Sequence, residues 1–198
     1  DTQPVAFRRV GANPVTVSMM HLPQGKYLFR QDKQFVGIEM PYAQERFAMV
    51  VVTTRGEQPA APAAFAGTGE WLAGKGFAAA SGELALPHFD VSASEDLTPT
   101  LDQLGLKTAR LAPGSLSGFT ADPVRITRVQ QRVELRLNEE GTEMAAATVA
   151  AIERGVDADY IRMAVNRPFV FALRDKETGL VLAAGYVGEP TTLATAAR

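Results

Sequence analysis

Cysteine is absent from the 198-residue sequence, which excludes disulfide bonds and thiolate metal sites and leaves the redox compartment open. There are only two histidines, His21 and His88, and they lie on separate predicted strands. A catalytic triad or a zinc site would need one of them together with distant partners that the sequence does not reveal, so we interpret both as structural residues. No apolar run approaches the roughly 18–20 residues of a membrane-spanning helix.

Charge of one sign is not in excess either, because 20 Lys and Arg stand against 22 Asp and Glu. Since the basic residues are scattered, we expect neither nucleic acid nor a membrane as a partner. The composition that is present, 46% hydrophobic and 21% charged, is typical of a soluble globular protein with one domain or two small ones. The chain starts at Asp1 with neither Met nor a signal-like segment, so we expect a processed, truncated or engineered start.

Strands dominate the predicted secondary structure. They are expected over residues 15–19, 26–30, 34–40, 47–54, 83–93 and 124–138, and in the two arms of a hairpin over 167–187. The run 47–54 is continuously apolar, which is typical of a strand covered on both faces. The first strands are expected to form an antiparallel meander.

Helices are predicted in two places. The Ala-, Gly- and Pro-rich stretch 57–82 is expected to hold one or two short helices. Leu97, Leu101 and Leu104 follow at helical spacing within 94–106, and Gly105 is expected to end that amphipathic helix.

One segment is superficially similar to a phosphate-binding loop. "GEWLAGKG" (69–76) supplies Gly69, Gly74 and Lys75, but the next residue is Gly76, so the hydroxyl that would hold magnesium is missing. The segment also lacks a buried strand before it. We therefore interpret it as a helix followed by a turn.

"NEEGTEMAAATVAAIERG" (138–155) suits neither a core nor an ordinary polar loop. Its carboxylates, Glu139, Glu140 and Glu143, could act as an acid–base pair only in a cleft, and this run is expected to be solvated. Nothing in the chain forms a catalytic constellation, so we do not expect an enzyme. From composition alone, an exposed Ala-rich helix is the favoured interpretation of this segment.

Two motifs together change that interpretation, namely "MAVNRPFVFAL" (163–173) and "NEEGTEMAAAT" (138–148). The first resembles the signature near the carboxyl end of serpins, the serine protease inhibitor family, and the second is similar to that family's hinge. Further similarities follow in the family's order at "VSMM" (17–20), "MPY" (40–42), "DLTPTLDQLGL" (96–106) and "LSGFT" (116–120). The resemblance covers nearly the whole chain.

The resemblance implies an α+β serpin fold, of which residues 1–198 form the β-rich carboxyl-terminal half of a single domain. This half would contain parts of sheets A, B and C with short helices, and would be incomplete without an N-terminal half. That other half is therefore expected as a second chain or fragment. Residues 139–162 would be the hinge and the reactive-centre loop.

The resemblance also assigns the hinge residue by residue. The hinge comprises Glu139, Glu140, Gly141, Thr142, Glu143, Met144, Ala145, Ala146, Ala147 and Thr148. Strand alternation places Thr142, Met144, Ala146 and Thr148 on one face, which family analogy makes the inward one. Met144 departs from the Ala that is usual in the family, and its longer side chain is expected to slow insertion.

Three residues outside the inserting face are assigned to the opening of the sheet. Gln131 occupies the position of a polar network residue beneath it. Glu139 matches the family's glutamate at the top of the sheet, and His88 sits where relatives often have a basic partner. The resemblance thus implies a Glu139–His88 contact that would make this region pH-sensitive.

The implied function is suicide inhibition of a serine protease, with the scissile bond at Arg154–Gly155 or one residue later. A fixed cation at Arg154 suits a trypsin-like pocket, whereas the alternative is a solvated loop arginine. No cofactor and no metal is expected. Two other functions stay open: a non-inhibitory serpin relative acting as carrier or chaperone, and an unrelated β-rich binding module. Family analogy favours an extracellular or periplasmic location.

Overall fold

The computed structural model describes residues 2–42, 46–112, 116–122, 124–137 and 160–190, apart from the side chain of Pro23. These residues form two compact units. The first contains residues up to 90 and from 136 onward, and the second contains residues 91–135. Strands far outnumber helices, as the predicted β-rich chain requires.

Ten strands and three short α-helices are described. The strands are β1 (Thr2–Arg9), β2 (Ala12–Gln31), β3 (Phe35–Tyr42), β4 (Phe47–Thr54), β5 (Ala78–Pro87), β6 (Phe89–Asp96), β7 (Gln130–Leu137), β8 (Ile161–Ala164), β9 (Phe169–Asp175) and β10 (Val181–Val187). The helices are α1 (Gly69–Leu72), α2 (Thr98–Leu101) and α3 (Lys107–Leu111), with a 3₁₀ turn at Pro62–Phe65 and a π-helical turn at Asp102–Leu106. Within the described ranges, no helix has the length and apolar character needed to cross a membrane.

Eight strands of the first unit form one sheet in the order β10-β9-β4-β3-β2-β5-β8, with β1 also paired to β2. Every pairing is antiparallel except that of β5 with β8. Strands β2, β3 and β4 follow one another in the sheet, which confirms the predicted antiparallel meander. Strands β6 and β7 form a separate two-stranded ribbon.

Strand β2 is long enough to pair with three other strands, β1, β3 and β5. Met19 pairs with both Gln3 and Pro87, and Leu28 pairs with both Glu39 and Ala79. Strand β5 therefore lines one edge of β2, while β1 and β3 share the other edge. The sequence predicted separate strands at 15–19 and 26–30, and that division was wrong. The chain stays extended through a register irregularity between Leu22 and Gly25.

Strand β4 lies at the centre of the sheet between β3 and β9, and its residues Ala48–Thr53 are all buried. This confirms the prediction that the apolar run 47–54 is covered on both faces. One face is covered by Phe65 from the 3₁₀ turn and Trp71 from α1, which pack into a cluster. The cluster's buried members are Phe35, Val50, Val52, Phe65, Trp71 and Val170.

The other face of the sheet carries a second aromatic group. Phe169 and Phe171 flank Val170 on β9, so strand alternation directs them away from the Trp71 cluster. The ring of Phe89 packs against both, with centroids 5.2 Å from Phe169 and 5.5 Å from Phe171. Both faces of the central strands are thus buried.

The segment 69–76 forms helix α1 followed by a turn, as the sequence predicts. Trp71 is buried in the core, while Lys75 forms an exposed ion pair with Glu70 at 3.1 Å. Gly74 has a φ of 75°, and a Cβ atom built there would lie 1.3 Å from Nη1 of Arg174. The glycine is therefore required by the positive φ and by the close approach of that guanidinium.

A buried ion pair lies directly beneath this turn. Nη1 of Arg174 on β9 donates to Oε2 of Glu39 on β3 at 2.8 Å, and the two side chains are 12% and 5% exposed. Lys176 approaches the same carboxylate at 4.0 Å. Because β4 lies between β3 and β9, the pair spans three strands of the sheet.

The helix predicted over 94–106 is wrong at both ends. Residues 94–96 belong to β6, and helical structure continues to Leu111 across a kink at Gly105, where φ is 87°. Arg110 holds the later turns, because its buried guanidinium binds both carboxylate oxygens of Asp102 and donates to the carbonyls of Ile126 and Thr127. Leu104, predicted on the apolar face, is 72% exposed.

Other boundaries also differ from the sequence predictions. Strand β1 was not predicted, and residues 78–82 extend β5 into the Ala- and Gly-rich stretch. The strand predicted over 83–93 is interrupted at His88, whose backbone N–H donates to the carbonyl of Ser18 at 2.9 Å. Strand β7 begins at Gln130, so residues 124–129 are not part of it as predicted.

The predicted hairpin at the carboxyl end is confirmed. Strands β9 and β10 pair antiparallel, and Gly179 has a φ of 73° in the turn between them. Asp175 accepts a hydrogen bond from the backbone N–H of Glu177 at 2.9 Å and from Arg46 at 3.2 Å. Burial of the Asp175 carboxyl opposes ionisation, but these donors together hold its pKa below the usual value.

Candidate functional site

The strand that precedes the predicted hinge is β7. Its side chains alternate as predicted: Val133 and Leu135 are half-buried and Leu137 is buried, while Arg132 and Arg136 are exposed. Its partner is β6, and no strand pairs with its other edge within the described ranges. An unpaired edge presents free N–H and C=O groups that can accept a further strand.

The strand that follows the predicted loop is β8. It pairs in parallel with β5, with Ile161 opposite Gly82 and Met163 opposite Leu84. Ile161 and Met163 are buried, whereas Arg162 is exposed and forms an ion pair with Glu83 at 3.0 Å. The sequence placed the end of the loop at residue 162, but Ile161 and Arg162 belong to β8, so that boundary was wrong.

Tyr160 is the last described residue before β8, and it lies close to charged groups. The guanidinium carbon of Arg162 lies 5.4 Å from the centre of its ring. Loss of hydration raises the pKa of the Tyr160 phenol, and the Glu83 carboxylate acts in the same direction. The phenol is therefore neutral at ordinary pH.

Strand β8 is fixed to the sheet by the residues that follow it. Nε and Nη2 of Arg167 donate to the carbonyl of Thr54, and its Nη1 donates to Ala164 and to the side-chain oxygen of Asn166. Thr53 donates from Oγ1 to the carbonyl of Pro168 at 3.0 Å. Burial lowers the pKa of Arg167, with a further contribution from the charge of Arg8.

The structure describes some of the predicted site residues but not others. Gln131 is exposed on β7, and His88 is half-buried between β5 and β6. Hinge residues 139–148 and the predicted scissile bond Arg154–Gly155 lie outside the described residues. The Glu139–His88 contact and the role of Gln131 therefore stay predictions.

Sequence analysis did not assign a role to Arg167, although it lies within the quoted motif "MAVNRPFVFAL". Arg167 fixes β8 through hydrogen bonds to the carbonyl of Thr54, which is more than 100 residues away in sequence. No local sequence pattern reveals such a contact. Among the residues that the structure describes, no group of three or more His, Asp or Glu side chains is arranged to hold a metal ion.

Comparison with known proteins agrees with this arrangement of strands. A family model described as "Serpin (serine protease inhibitor)" matches residues 1–190. The chain therefore belongs to the serpin family and has the serpin fold, as the sequence resemblance predicts.

Individual relatives show how much of a serpin the chain represents. Human neuroserpin is 27% identical over 209 residues, covering 98% of this chain and 50% of the relative. Alpha-2-antiplasmin of Bos taurus is 36% identical over 108 residues, covering 54% of this chain and 21% of the relative. The chain thus spans at most about half the length of these curated relatives.

Solved structures give the same picture for the fold. A serpin from the trematode Schistosoma haematobium superimposes with a TM-score of 0.76 at 23% identity, covering 96% of this chain and 51% of that one. The thermophilic serpin tengpin in its native state gives a TM-score of 0.71 at 22% identity, covering 95% of this chain and 50% of that one.

Proposed function

We propose that this chain carries the reactive part of a serpin that traps a serine protease as an acyl-enzyme, with residues 139–160 as hinge and bait. The observation that carries the proposal is the position of the hinge motif. It follows Leu137, the last residue of β7, and β7 has an edge without a strand partner in the described ranges. This supports the proposal, because an antiparallel strand can follow its neighbour through a tight turn.

The proposed trapping reaction begins as ordinary proteolysis. The serine oxygen of the protease attacks the carbonyl carbon of Arg154, and the bond to the nitrogen of Gly155 breaks as that nitrogen takes a proton from the protease histidine. The loop is then bound to the protease as an ester. Insertion of the freed segment beside β7 would displace the protease before water can hydrolyse this ester.

New hydrogen bonds along β7 would supply the driving force. At roughly 1 kcal/mol net per hydrogen bond, about a dozen inserted residues would release on the order of 10 kcal/mol. Release of stored strain by loop insertion is a switch for which this family is itself the standard example. The hinge composition supports the proposal, because small residues can enter between β7 and a neighbouring strand supplied by the other half of the domain.

The loop has enough residues both to form a new strand and to connect β7 with β8. Between Leu137 and Ile161, where β7 ends and β8 begins, the sequence holds residues 138–160. A segment of about twelve residues can become a strand while the remainder spans to β8. Anchoring of β8 by Arg167 would keep the carboxyl side of the cut loop in place.

A trypsin-like protease is the proposed target because Arg154 offers a fixed positive charge. We expect Arg154→Ala to remove the first tryptic cut within residues 149–160 and to slow loop cleavage by at least a hundredfold. Limited trypsinolysis followed by mass spectrometry checks this. Arg132→Ala, on strand β7, is the matched control and should leave the first cut unchanged. A first tryptic cut outside 149–160 would contradict Arg154 as the bait and with it the trypsin-like assignment.

One alternative function has a specific residue in its favour. Met144 replaces the small residue expected on the inserting face, and slow insertion would let the ester hydrolyse, as in a non-inhibitory carrier or chaperone relative. Electrophoresis in SDS after incubation with trypsin separates the two functions. A stable complex supports the inhibitor, cleavage without a complex supports the relative, and no cleavage in the loop contradicts both.

The N-terminal half of a serpin domain is the second proposed partner. Strand β10 has one edge without a strand partner in the described ranges. Leu180, directly before it, is 60% exposed, and Val181 and Leu182 at its start are 41% and 46% exposed. An apolar strand edge of this kind favours association with other chains. The relatives in which this chain covers half the length suggest the other half as the natural cover.

We therefore expect the isolated 198-residue chain to self-associate and the chain supplemented with the other half of a serpin domain to form a one-to-one complex. Light scattering gives the mass, and thermal unfolding gives the cooperativity. Leu180→Lys and Leu182→Lys together should reduce self-association of the isolated chain. A monomeric isolated chain with a sharp cooperative transition would show that it needs no such partner.

A further inference from the structure

A cavity of about 390 Å³ in the first unit is lined by several arginines. Its charged and amide-bearing lining residues include Arg8, Arg55, Glu57, Arg162, Asn166 and Arg167. Four arginines and one carboxylate line it. Arg162 is also paired with Glu83, which lies outside the lining, so the formal excess is two positive charges. This contrasts with the chain as a whole, whose net charge is -2.

Two of these guanidinium groups are held in place by neutral acceptors. Arg167 donates to backbone carbonyls and to the side chain of Asn166, and Nη1 of Arg55 donates to the carbonyl of Asp32 at 2.9 Å. Such contacts fix the orientation of a guanidinium without cancelling its charge. Both guanidinium groups are therefore fixed in orientation, while the Asp32 carboxylate acts on the charge of Arg55 and the Glu57 carboxylate on that of Arg167.

The carboxylate in the lining, Glu57, offsets part of this charge, since it also acts on Arg167. Glu57 approaches Nη1 of Arg8 at 3.5 Å, but its side chain is 87% exposed. Arg8 donates its shorter hydrogen bond, 2.7 Å, to the backbone carbonyl of Glu57. An exposed ion pair at this distance contributes little free energy, because water screens it.

The arginines also act on one another across the cavity. The charge of Arg8 opposes that of Arg167, which is already partly removed from water. A negatively charged ligand between them would relieve this repulsion and add hydrogen bonds to donors that are already oriented. Guanidinium groups match the oxygens of phosphate and sulfate particularly well, because their planar donors can bind two oxygens at once.

We propose that this cavity, formed by Arg8, Arg55, Arg162 and Arg167, binds a compact, multiply charged oxyanion of the phosphate or sulfate type. Its volume is within the range of small-molecule sites, roughly 300–1,000 Å³. Several lining residues, 160–167, follow the proposed bait loop in sequence. Binding of the anion does not depend on whether the chain traps proteases.

The test is calorimetric titration of the 198-residue chain with inorganic pyrophosphate and, separately, with inorganic sulfate, at constant ionic strength. We expect saturable binding of at least one anion with one-to-one stoichiometry. Pyrophosphate binding alone would identify a phosphate site, and equal binding of both would identify a general oxyanion site. Absence of saturable binding of both anions would overturn the proposal.

Two variants with opposite expected effects distinguish anion binding in this cavity from non-specific attraction of anions to positive charge elsewhere on the protein. Arg55→Gln should weaken binding about tenfold, because a hydrogen bond to a charged group is lost. Glu57→Gln should strengthen binding several-fold, since it removes the opposing carboxylate, and loss of folding cannot produce a gain. Arg132→Gln, an exposed arginine of strand β7, is the control and should change nothing. Equal weakening by Arg132→Gln, or no gain with Glu57→Gln, would show that the cavity is not the binding site.

Discussion

Replacement of Thr142 by Arg is expected to abolish the trapped protease complex while leaving cleavage of the loop as fast as before. Thr142 is assigned to the inward face of the proposed inserting strand, so insertion would bury an unpaired guanidinium at a cost of several kcal/mol. A cost of about 3 kcal/mol reduces the fraction of encounters that end in a trapped complex by more than about a hundredfold. The protein would then be cut as a substrate.

The measurement is the ratio of SDS-stable complex to cleaved protein after reaction with trypsin, in a serpin domain completed with its other half. Ala145→Arg is the matched control, because it places the same side chain on the opposite face of the strand. It should retain most of the complex. Equal loss in both variants would mean that the faces are assigned wrongly, and no complex with the unsubstituted protein would contradict inhibition itself.

Replacement of Glu39 by Gln is expected to lower the free energy of unfolding by about 3 kcal/mol. Glu39 and Arg174 are 5% and 12% exposed, so loss of one charge leaves the other largely buried without its partner. The change would loosen the contact between β3 and β9 across β4. Urea unfolding followed by tryptophan fluorescence measures it, since Trp71 packs in the core of the same unit.

Gly74→Ala tests the same ion pair from its other side. The added Cβ atom would meet Nη1 of Arg174, so this variant should also displace the guanidinium from Glu39. Since both substitutions break one interaction, the double variant should lose clearly less stability than the sum of the single losses. Glu83→Gln, which removes an exposed partner of Arg162, is the control and should change stability by less than about 0.5 kcal/mol. Additive losses from Glu39→Gln and Gly74→Ala would show that the ion pair does not couple the two positions.

The sequence predicted the central strands and the carboxyl-terminal hairpin because their signals are local. The apolar run 47–54 and the turn at 175–179 each contain the information that defines them, and both were confirmed. The helix over 94–106 was wrong because its outcome depends on distant residues. Arg110 extends the helical turns past Gly105 by binding carbonyls at 126 and 127, which spacing of leucines cannot show.

The predicted site depended on family motifs more than on physical patterns. Residues 138–148 alone favoured an exposed helix, and only the collinear motif at 163–173 reversed that interpretation. The cavity lined by arginines had no sequence signal at all. Its members Arg8, Arg55, Arg162 and Arg167 come from three parts of the chain, and the pairing of strands in the eight-stranded sheet brings these parts together.

The pairing of β4 with β9 has a consequence for synthesis of the protein. Val50 pairs with Ala172, so the central strand acquires its second neighbour only after about 120 further residues have been made. At about 5–20 residues per second, this leaves the edge of a continuously apolar strand open for at least several seconds on the ribosome. Pairings so distant in sequence also close slowly. During that interval the unpaired edge of β4 can form hydrogen bonds with other chains, which favours aggregation.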